Sequence, residues 1–156
     1  MKKITLEAAI QSNGFLSEQE KTCLNLIFAG ALMHQSCSQF FKHYELSEPQ
    51  YNVLRILRGH HPKPMLSNDI QNRMLHKSSN TSRIIDKLIK NELVRKRKNS
   101  VDQREVYHFI TKKGLALLRK IDKPLIEHCA NIIPLEERGL KALNSLIEKV
   151  YTHLFP

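Results

Sequence analysis

The sequence predicts a mainly α-helical protein with one small β-hairpin. Its 156 residues include only five Gly and six Pro, and this composition favours helices over an all-β fold. Apolar residues recur at helical spacing through most of the chain. Two strand-like runs, 93–98 and 105–110, flank a polar, turn-like segment at 99–103, and this pattern indicates the hairpin.

The N-terminal part of the chain is predicted to be helical and to need a partner. The first dozen residues indicate a short helix or an arm, and a long helical pattern follows over about 18–43. Between 23 and 33 this pattern is apolar on nearly every side, and a helix of that kind has to be covered all round. Because so small a domain has trouble covering it alone, we expect a partner subunit to do so.

A capping box marks the start of the next predicted helix. Ser47 provides the N-cap hydroxyl, and Gln50 stands three residues later, where its amide can reach back to the backbone. The helix should end at Gly59, and a loop with two prolines follows at 60–64.

Two short helices and the hairpin together form a winged helix-turn-helix. Ser67 is expected to cap a helix over 68–75, and Ser78 or Ser79 is expected to cap the next helix, which runs to about 91. A tight turn joins the two helices, and the charged hairpin that follows them supplies the wing.

The C-terminal part is predicted to contain two further helices. Thr111 should cap the first, which runs to about 132 with a kink at Pro124, and the second should begin near Pro134. The chain is therefore expected to form one intertwined structure of three parts: N-terminal dimerisation helices over 1–45, a winged helix-turn-helix DNA-binding lobe over 46–111 and C-terminal dimerisation helices over 112–156.

The formal net charge of +10 is concentrated in the middle third of the chain. Residues 55–104 hold thirteen basic and four acidic side chains, whereas 1–54 and 105–156 carry net charges of −1 and +2. A concentrated basic segment attracts a polyanion, and we interpret it as a surface for duplex DNA. A solvated basic face and an anionic membrane are the alternatives, and the absence of one long amphipathic helix there disfavours the membrane.

The helix expected at 79–91 has the composition of a recognition helix. Its apolar residues lie on one face, while small hydroxyls and an arginine lie on the other, where they can bond phosphates and base edges. Asp86 is expected to orient a neighbouring cation. The predicted DNA contacts of this helix are Ser78, Ser79, Asn80, Ser82, Arg83 and Lys87.

The predicted wing carries four consecutive cations at 95–98. Alternate strand residues face opposite sides, so an acidic protein partner would not be expected to meet all four, whereas a phosphate backbone can use most of them. Asp102 lies two residues before Arg104, so its carboxylate can hold the guanidinium for entry into the minor groove. The predicted wing contacts are Arg95, Arg97, Lys98, Asp102, Gln103 and Arg104.

Five motifs in register resemble the MarR family of bacterial regulators. They are LSEPQYNVL at 46–54, NTSRIIDKL at 80–88, LVRKR at 93–97, DQR at 102–104 and ITKKG at 110–114. The resemblance implies an obligate homodimer whose first and last two helices interlock and whose two winged helices read a pseudo-palindrome. In the family, the Asp and second Arg of the wing motif organise and insert the wing, and Asp102 and Arg104 match these positions. Gln103 stands where the family often has Arg.

The resemblance also suggests two kinds of signal that would release the protein from DNA. Cys23 lies 26 residues before Pro49, where the organic-hydroperoxide-sensing branch keeps its reactive cysteine, and Cys129 lies near the resolving thiol of two-cysteine members. An organic peroxide would oxidise Cys23 to a sulfenate, which Cys129 of the other subunit would capture. The tyrosines around the thiolate in that branch are replaced here by Ile27, Cys37 and Glu48. The alternatives are buried, structural cysteines and a small aromatic ligand bound beside the dimer helices.

Other classes of function find little support in the sequence. There is no Gly-rich phosphate loop, metal-helix motif or nucleophile elbow, so we expect neither an enzyme nor a cofactor. His34 and Cys37 are too few ligands for a metal. The apolar run at 23–33 is too short to span a bilayer and no signal peptide precedes it, so we expect a bacterial cytoplasmic, nucleoid-associated protein. A winged helix used for protein–protein contact is the remaining alternative.

Overall fold

The computed structural model describes residues 4–75, 80–99 and 105–154, and these form two compact units that divide between Asn52 and Val53. Within the described residues, the elements are α1 (Leu6–Ile10), α2 (Glu18–Lys42), α3 (Glu48–His60), β1 (Met65–Leu66), α4 (Ser67–Arg73), α5 (Thr81–Lys90), β2 (Val94–Lys98), β3 (Val106–Ile110), α6 (Lys112–Ile132) and α7 (Glu137–Thr152). The predicted mainly α fold with a hairpin is confirmed. No helix among these residues combines the length and the apolar character that crossing a membrane requires.

The first unit is held together by side chains near the helix ends. Ser17 caps α2 by accepting a hydrogen bond from the Glu20 N–H, as a helix N-terminus with free donors requires. The Lys21 ammonium lies 2.6 Å from a carboxylate oxygen of Glu7, so this ion pair connects α1 to α2. The short N-terminal helix and the long second helix therefore occur where the sequence predicts them.

An aromatic cluster and a capping box join the end of α2 to the start of α3. The rings of Phe41 and Tyr51 stack with their centroids 4.3 Å apart, and both residues are buried. The Ser47 N–H donates to Gln50 Oε1 at 2.7 Å, and the Gln50 N–H donates to Ser47 Oγ at 3.4 Å. The predicted capping box is confirmed. The predicted end of α3 at Gly59 is wrong by one residue, because the helical hydrogen bonding continues through His60.

The starts of α4 and α5 differ from the prediction. Ser67 is the first residue of α4 and not its cap, because Leu66 is held extended by its pairing with Tyr107 on β3. Helix α5 begins at Thr81, whose buried hydroxyl donates to the sulfur of Met74 at 3.5 Å, and the side chain of the N-cap residue, Asn80, makes no capping hydrogen bond to the helix. The expected caps Ser78 and Ser79 lie outside the described residues.

The sheet has three antiparallel strands in the order β1–β3–β2. The predicted hairpin forms from β2 and β3, with Val94 opposite Ile110 and both side chains buried. Strand β1, with Met65 opposite His108, is absent from the prediction, because a two-residue strand shows no alternation that a sequence could reveal.

Helix α6 begins at a cap that also fastens it to the hairpin. The Thr111 hydroxyl accepts a hydrogen bond from the Gly114 N–H at 3.0 Å and donates to the backbone carbonyl of Glu92 at 2.8 Å, so the predicted cap is confirmed. Helix α7 begins later than predicted, at Glu137, because the Leu135 N–H bonds the Ile133 carbonyl at 2.8 Å and holds Pro134 in a tight turn.

The core of the second unit lies beneath the sheet and the short helices. A bidentate ion pair, Arg58 to Asp122 at 2.7 and 2.9 Å, connects α3 to α6, and its hydrogen bonds lower the pKa of the Asp122 carboxyl. The largest fully buried side chains of this unit are those of Leu54, Leu57, Ile70, Ile85, Leu88, Leu118, Ile121, Val53 and Val94.

We expect Gly114→Ala to destabilise the fold. A Cβ at Gly114 would lie 2.5 Å from the Leu93 carbonyl oxygen and 2.8 Å from Cγ1 of Ile110, so α6 would have to move away from the hairpin. Overpacking of this kind costs about 1–3 kcal/mol in the free energy of unfolding, which urea titration measures. Gly59→Ala is the matched control, because nothing lies within 4 Å of its new Cβ and alanine is the better helix former. Equal stability of the two variants would contradict the expectation.

Candidate nucleic-acid interface

Helix α5 presents a cationic side to solvent. Its buried residues are Thr81, Ile85 and Leu88, which is the apolar face that the sequence predicts. The exposed residues of the helix and its N-cap are Asn80, Ser82, Arg83, Asp86, Lys87 and Lys90. At 3.6 residues per turn, Arg83, Lys87 and Lys90 form one stripe along the exposed side.

The side chains of the hairpin lie on two faces. Residues on the inner face alternate with those on the outer face, and the buried Val94, His108 and Ile110 identify the inner one. We call the outer face the arginine face; it consists of Arg95, Arg97, Tyr107 and Phe109. The predicted wing contacts Arg95 and Arg97 therefore share one face, whereas Lys96 and Lys98 belong to the other.

The arginine face contains a stacked arrangement of charge on an aromatic ring. The guanidinium carbon of Arg95 lies 4.2 Å from the centroid of the Phe109 ring, and that of Arg97 lies 5.5 Å from the same centroid. Both distances are within the range of a cation–π contact. Both arginines are solvent-exposed, while Phe109 is half-buried.

Hydrogen bonds close the hairpin just before its turn. The Asn99 N–H donates to the Glu105 carbonyl at 2.9 Å, and the Asn99 side-chain amide donates to a Glu105 carboxylate oxygen at 2.7 Å. The same amide lies 3.4 Å from the Tyr107 hydroxyl. The predicted contacts Asp102, Gln103 and Arg104 lie beyond this closure, outside the described residues.

A small cleft joins the cationic helix to the wing. It is lined by Ser67 at the start of α4, Ser82 and Asp86 on α5, Lys96 on β2 and His108 on β3. Ser67, Lys96 and His108 are not among the predicted site residues. The signal for Lys96 and His108 lay in the strand alternation that starts from the apolar Val94 and Ile110, while nothing in the sequence around Ser67 indicated its position here.

His108 is a buried polar residue between the wing and α5. Its ring hydrogen-bonds to the backbone of Met65, while its Nδ1 is buried without a hydrogen-bond partner in the described parts of the chain. Burial lowers the pKa of His108, and the nearby Lys96 ammonium lowers it further, whereas the bond to Met65 and the Asp86 carboxylate oppose the shift. The neutral ring is therefore the form that fits the fold.

The candidate sensor thiols are accessible in the single chain. Cys23 and Cys129 are exposed and Cys37 is partly exposed when the chain is taken alone. Of the positions that carry tyrosines in the peroxide-sensing branch, Ile27 is exposed and the Glu48 carboxylate lies 2.6 Å from Nδ1 of His34.

Sequence comparison identifies a family and relatives that this chain resembles. The profile of the MarR family matches residues 46–106. The chain is 26% identical over 133 residues to the HTH-type transcriptional regulator MgrA of Staphylococcus aureus, and the alignment covers 85% of this chain and 88% of MgrA.

Solved structures show the same fold. A MarR transcription factor from Planctomyces limnophilus is 27% identical, with a TM-score of 0.69 over 92% of this chain and 100% of its own. Sco3205, a MarR family transcriptional regulator from Streptomyces coelicolor solved in complex with DNA, is 18% identical, with a TM-score of 0.78 over 93% of each chain. These likenesses confirm the winged helix-turn-helix prediction.

We expect the stability of the protein to fall in mild acid because of His108. The unfolded chain takes up a proton near the ordinary pKa of 6.5, whereas the folded chain resists protonation of His108. The contribution of the neutral ring is therefore complete above pH 6.5 and is lost as the pH falls below it, until the folded pKa is passed. Urea titrations between about pH 7.5 and about pH 5 should show a smaller pH dependence for His108→Gln than for the native chain. The exposed His153→Gln is the control, and an unchanged dependence in His108→Gln would contradict the expectation.

Proposed function

We propose that the chain is a transcription regulator of the MarR family, most simply a repressor, that binds duplex DNA as a homodimer. The observation that carries this proposal is the cleft that Ser82 and Asp86 of α5 line together with Lys96 of the wing, which places the exposed cations of α5 and the wing on neighbouring parts of the second unit. The DNA complex of Sco3205 supports it, since that protein shares the fold. The alternative is a winged helix that binds another protein. The positive charge of this surface supports it less well than it supports DNA binding.

The recognition step would use α5 in the major groove. That groove admits an α-helix, and an arginine there can bind guanine through two hydrogen bonds. Arg83 is exposed in the first turn, where Asn80 and Ser82 stand beside it, and Lys87 follows one turn later on the same stripe. We assign Arg83 to base contact and Lys87 to phosphate contact. Arg104, held by Asp102, would enter the minor groove from the wing.

The homodimer would form through the terminal helices, 1–45 and 112–156. In each unit, long helices carry apolar side chains that the single chain leaves exposed. On α2 these are Leu26, Ile27, Leu32 and Met33, and on α7 they are Leu143, Leu146, Ile147, Val150 and Tyr151. Extended apolar surface of this kind marks a protein interface. A two-fold dimer presents two copies of α5, so we expect the bound sequence to be a pseudo-palindrome.

The remaining aspects of the proposal follow from DNA binding. The protein would act by binding and release and not by catalysing a reaction, and it would work in the bacterial cytoplasm at the nucleoid, where its DNA lies. Two release signals are compatible with this role, a small aromatic ligand and oxidation of a thiol by an organic peroxide. In support of the second signal, Cys23 and Cys129 are exposed in the single chain.

We expect Arg83→Ala and Arg104→Ala each to weaken DNA binding without dissociating the dimer. A two-bond base contact is worth about 1–3 kcal/mol, which corresponds to roughly a 5- to 150-fold loss of affinity for Arg83→Ala. The probe is a duplex that the native protein itself selects from a random-sequence pool, and gel filtration checks the dimer. Lys149→Ala, on α7, is the control that removes a cation outside the winged helix. Native affinity in both arginine variants would contradict the assignment, and no selection of duplex DNA by the native protein would contradict DNA binding itself.

We expect cumene hydroperoxide to link two subunits through Cys23 and Cys129. The peroxide transfers one oxygen atom to the Cys23 thiolate, which becomes a sulfenate while the peroxide becomes an alcohol. The Cys129 thiol of the other subunit then attacks the sulfenic acid, and a disulfide and water are formed. A non-reducing gel should show a band at twice the chain mass that disappears in Cys23→Ser and in Cys129→Ser but not in Cys37→Ser. The same treatment should lower DNA affinity, and the absence of both effects would leave the aromatic ligand as the signal.

A further inference from the structure

The arginine face of the wing differs from an ordinary cationic strand in how its charges are held. Arg95 and Arg97 are two residues apart on β2, so their side chains leave the same side of the sheet. Both guanidinium groups lie near the ring of Phe109 on β3, which stands directly opposite Arg95 and diagonally from Arg97. One aromatic ring thus positions two flat cations that would otherwise sample many rotamers.

The chemistry of the guanidinium group makes this arrangement useful for phosphate binding. The guanidinium group is planar. When one of its faces lies on an aromatic ring, its N–H donors still point outward in the plane of the group. Those edges match the oxygen pairs of a phosphate group. A side chain that is already ordered loses less rotamer entropy when it binds, so the same contact gives a higher affinity.

The surroundings of the ring favour a polyanion as the partner. Arg95, Arg97 and the neighbouring Lys98 are all exposed. Among the described residues, the acidic side chain next to this face is that of Glu105, and its carboxylate accepts a hydrogen bond from the Asn99 side chain. The arginine face therefore offers paired cationic donors to a phosphodiester backbone.

We propose that Phe109 is a positioning residue for DNA binding, which holds Arg95 and Arg97 in place for the phosphate backbone. This inference rests on the proposed function. Phe109 itself need not touch DNA, because it acts through the two arginines. The competing explanation is that the arginines only shield a half-buried ring from water, in which case Phe109 affects stability and leaves the wing's contribution to DNA affinity unchanged.

The test is a double-mutant cycle between the ring and the two charges. Phe109→Leu removes the aromatic face and keeps an apolar side chain, and Phe109→Tyr keeps the aromatic face. Each is made in the native chain and in the Arg95→Gln/Arg97→Gln variant, and DNA affinity is measured over a range of salt concentrations with a duplex selected by the native protein. Thermal unfolding of every variant is recorded beside the affinity, and Phe109→Ile replaces Phe109→Leu if the latter fails to fold.

The expected results distinguish the effect of ordering the two arginines from the effect of their charge. Each exposed cation–π contact corresponds to roughly a two- to fivefold effect, so Phe109→Leu should weaken binding by roughly 4- to 25-fold in the native chain. Phe109→Tyr should bind as the native chain does. In the Arg95→Gln/Arg97→Gln background Phe109→Leu should have little effect. Removal of the two arginines should reduce the slope of log affinity against log salt by about 0.9 for each phosphate that they neutralise, while Phe109→Leu should preserve the slope.

Three outcomes would overturn the inference, and each is distinct from failure of DNA binding. An equal effect of Phe109→Leu in both backgrounds would make Phe109 a fold residue only. An unchanged salt slope in Arg95→Gln/Arg97→Gln would mean that the arginine face does not touch DNA. Loss of binding in Phe109→Tyr as large as in Phe109→Leu would exclude the ring face as the cause. Arg83→Ala in the same assay reports on the proposed function, since it should weaken binding whatever the wing does.

Discussion

The antiparallel register of β2 and β3 is the constraint on which the candidate interface depends. With Val94 opposite Ile110, two apolar side chains at the start of the inner face are buried in the core of the second unit. A slip of one residue would move Arg95 to the core side and Val94 to the solvent side, because the side-chain period of a strand is two. The register is anchored at the end opposite Asn99 and Glu105, where the Thr111 N–H donates to the Leu93 carbonyl at 3.0 Å and Gly114 allows α6 to approach.

The same register divides the wing's positive charge into two kinds of surroundings. Lys96 lies on the inner side, in the cleft that also contains Asp86 and the buried His108. There a neutral imidazole avoids placing a second positive charge beside the lysine, and the low pKa of His108 reflects this together with its burial. On the outer side, Arg95 and Arg97 face an aromatic ring and water, where positive charge is tolerated.

The cationic and the apolar surfaces of the chain favour different partners. The exposed cations of α5 and the wing repel one another and gain from a polyanion, while the exposed apolar residues of α2 and α7 gain from being covered by protein. In the dimer that we propose, each surface meets the partner that suits its chemistry. Assembly would then bring two cationic surfaces into one complex, which a single chain cannot do.

Features that depend on near neighbours in the chain could be predicted from the sequence. The capping box of Ser47 and Gln50, the cap at Thr111 and the hairpin were predictable, because each arises from side chains within a few residues of the backbone groups they satisfy or from a simple alternation. The clustering of basic residues between 55 and 104 was likewise evident from composition alone.

Features that depend on contacts between separate elements arise only when the chain has folded. The pairing of Leu66 with Tyr107 displaced the cap expected at Ser67, and the contact of Thr81 with Met74 placed the start of α5. The stack of Arg95 on Phe109 joins residues fourteen positions apart across a sheet. Local propensities carry no information about such contacts, because their energy arises only when the strands and helices have packed together.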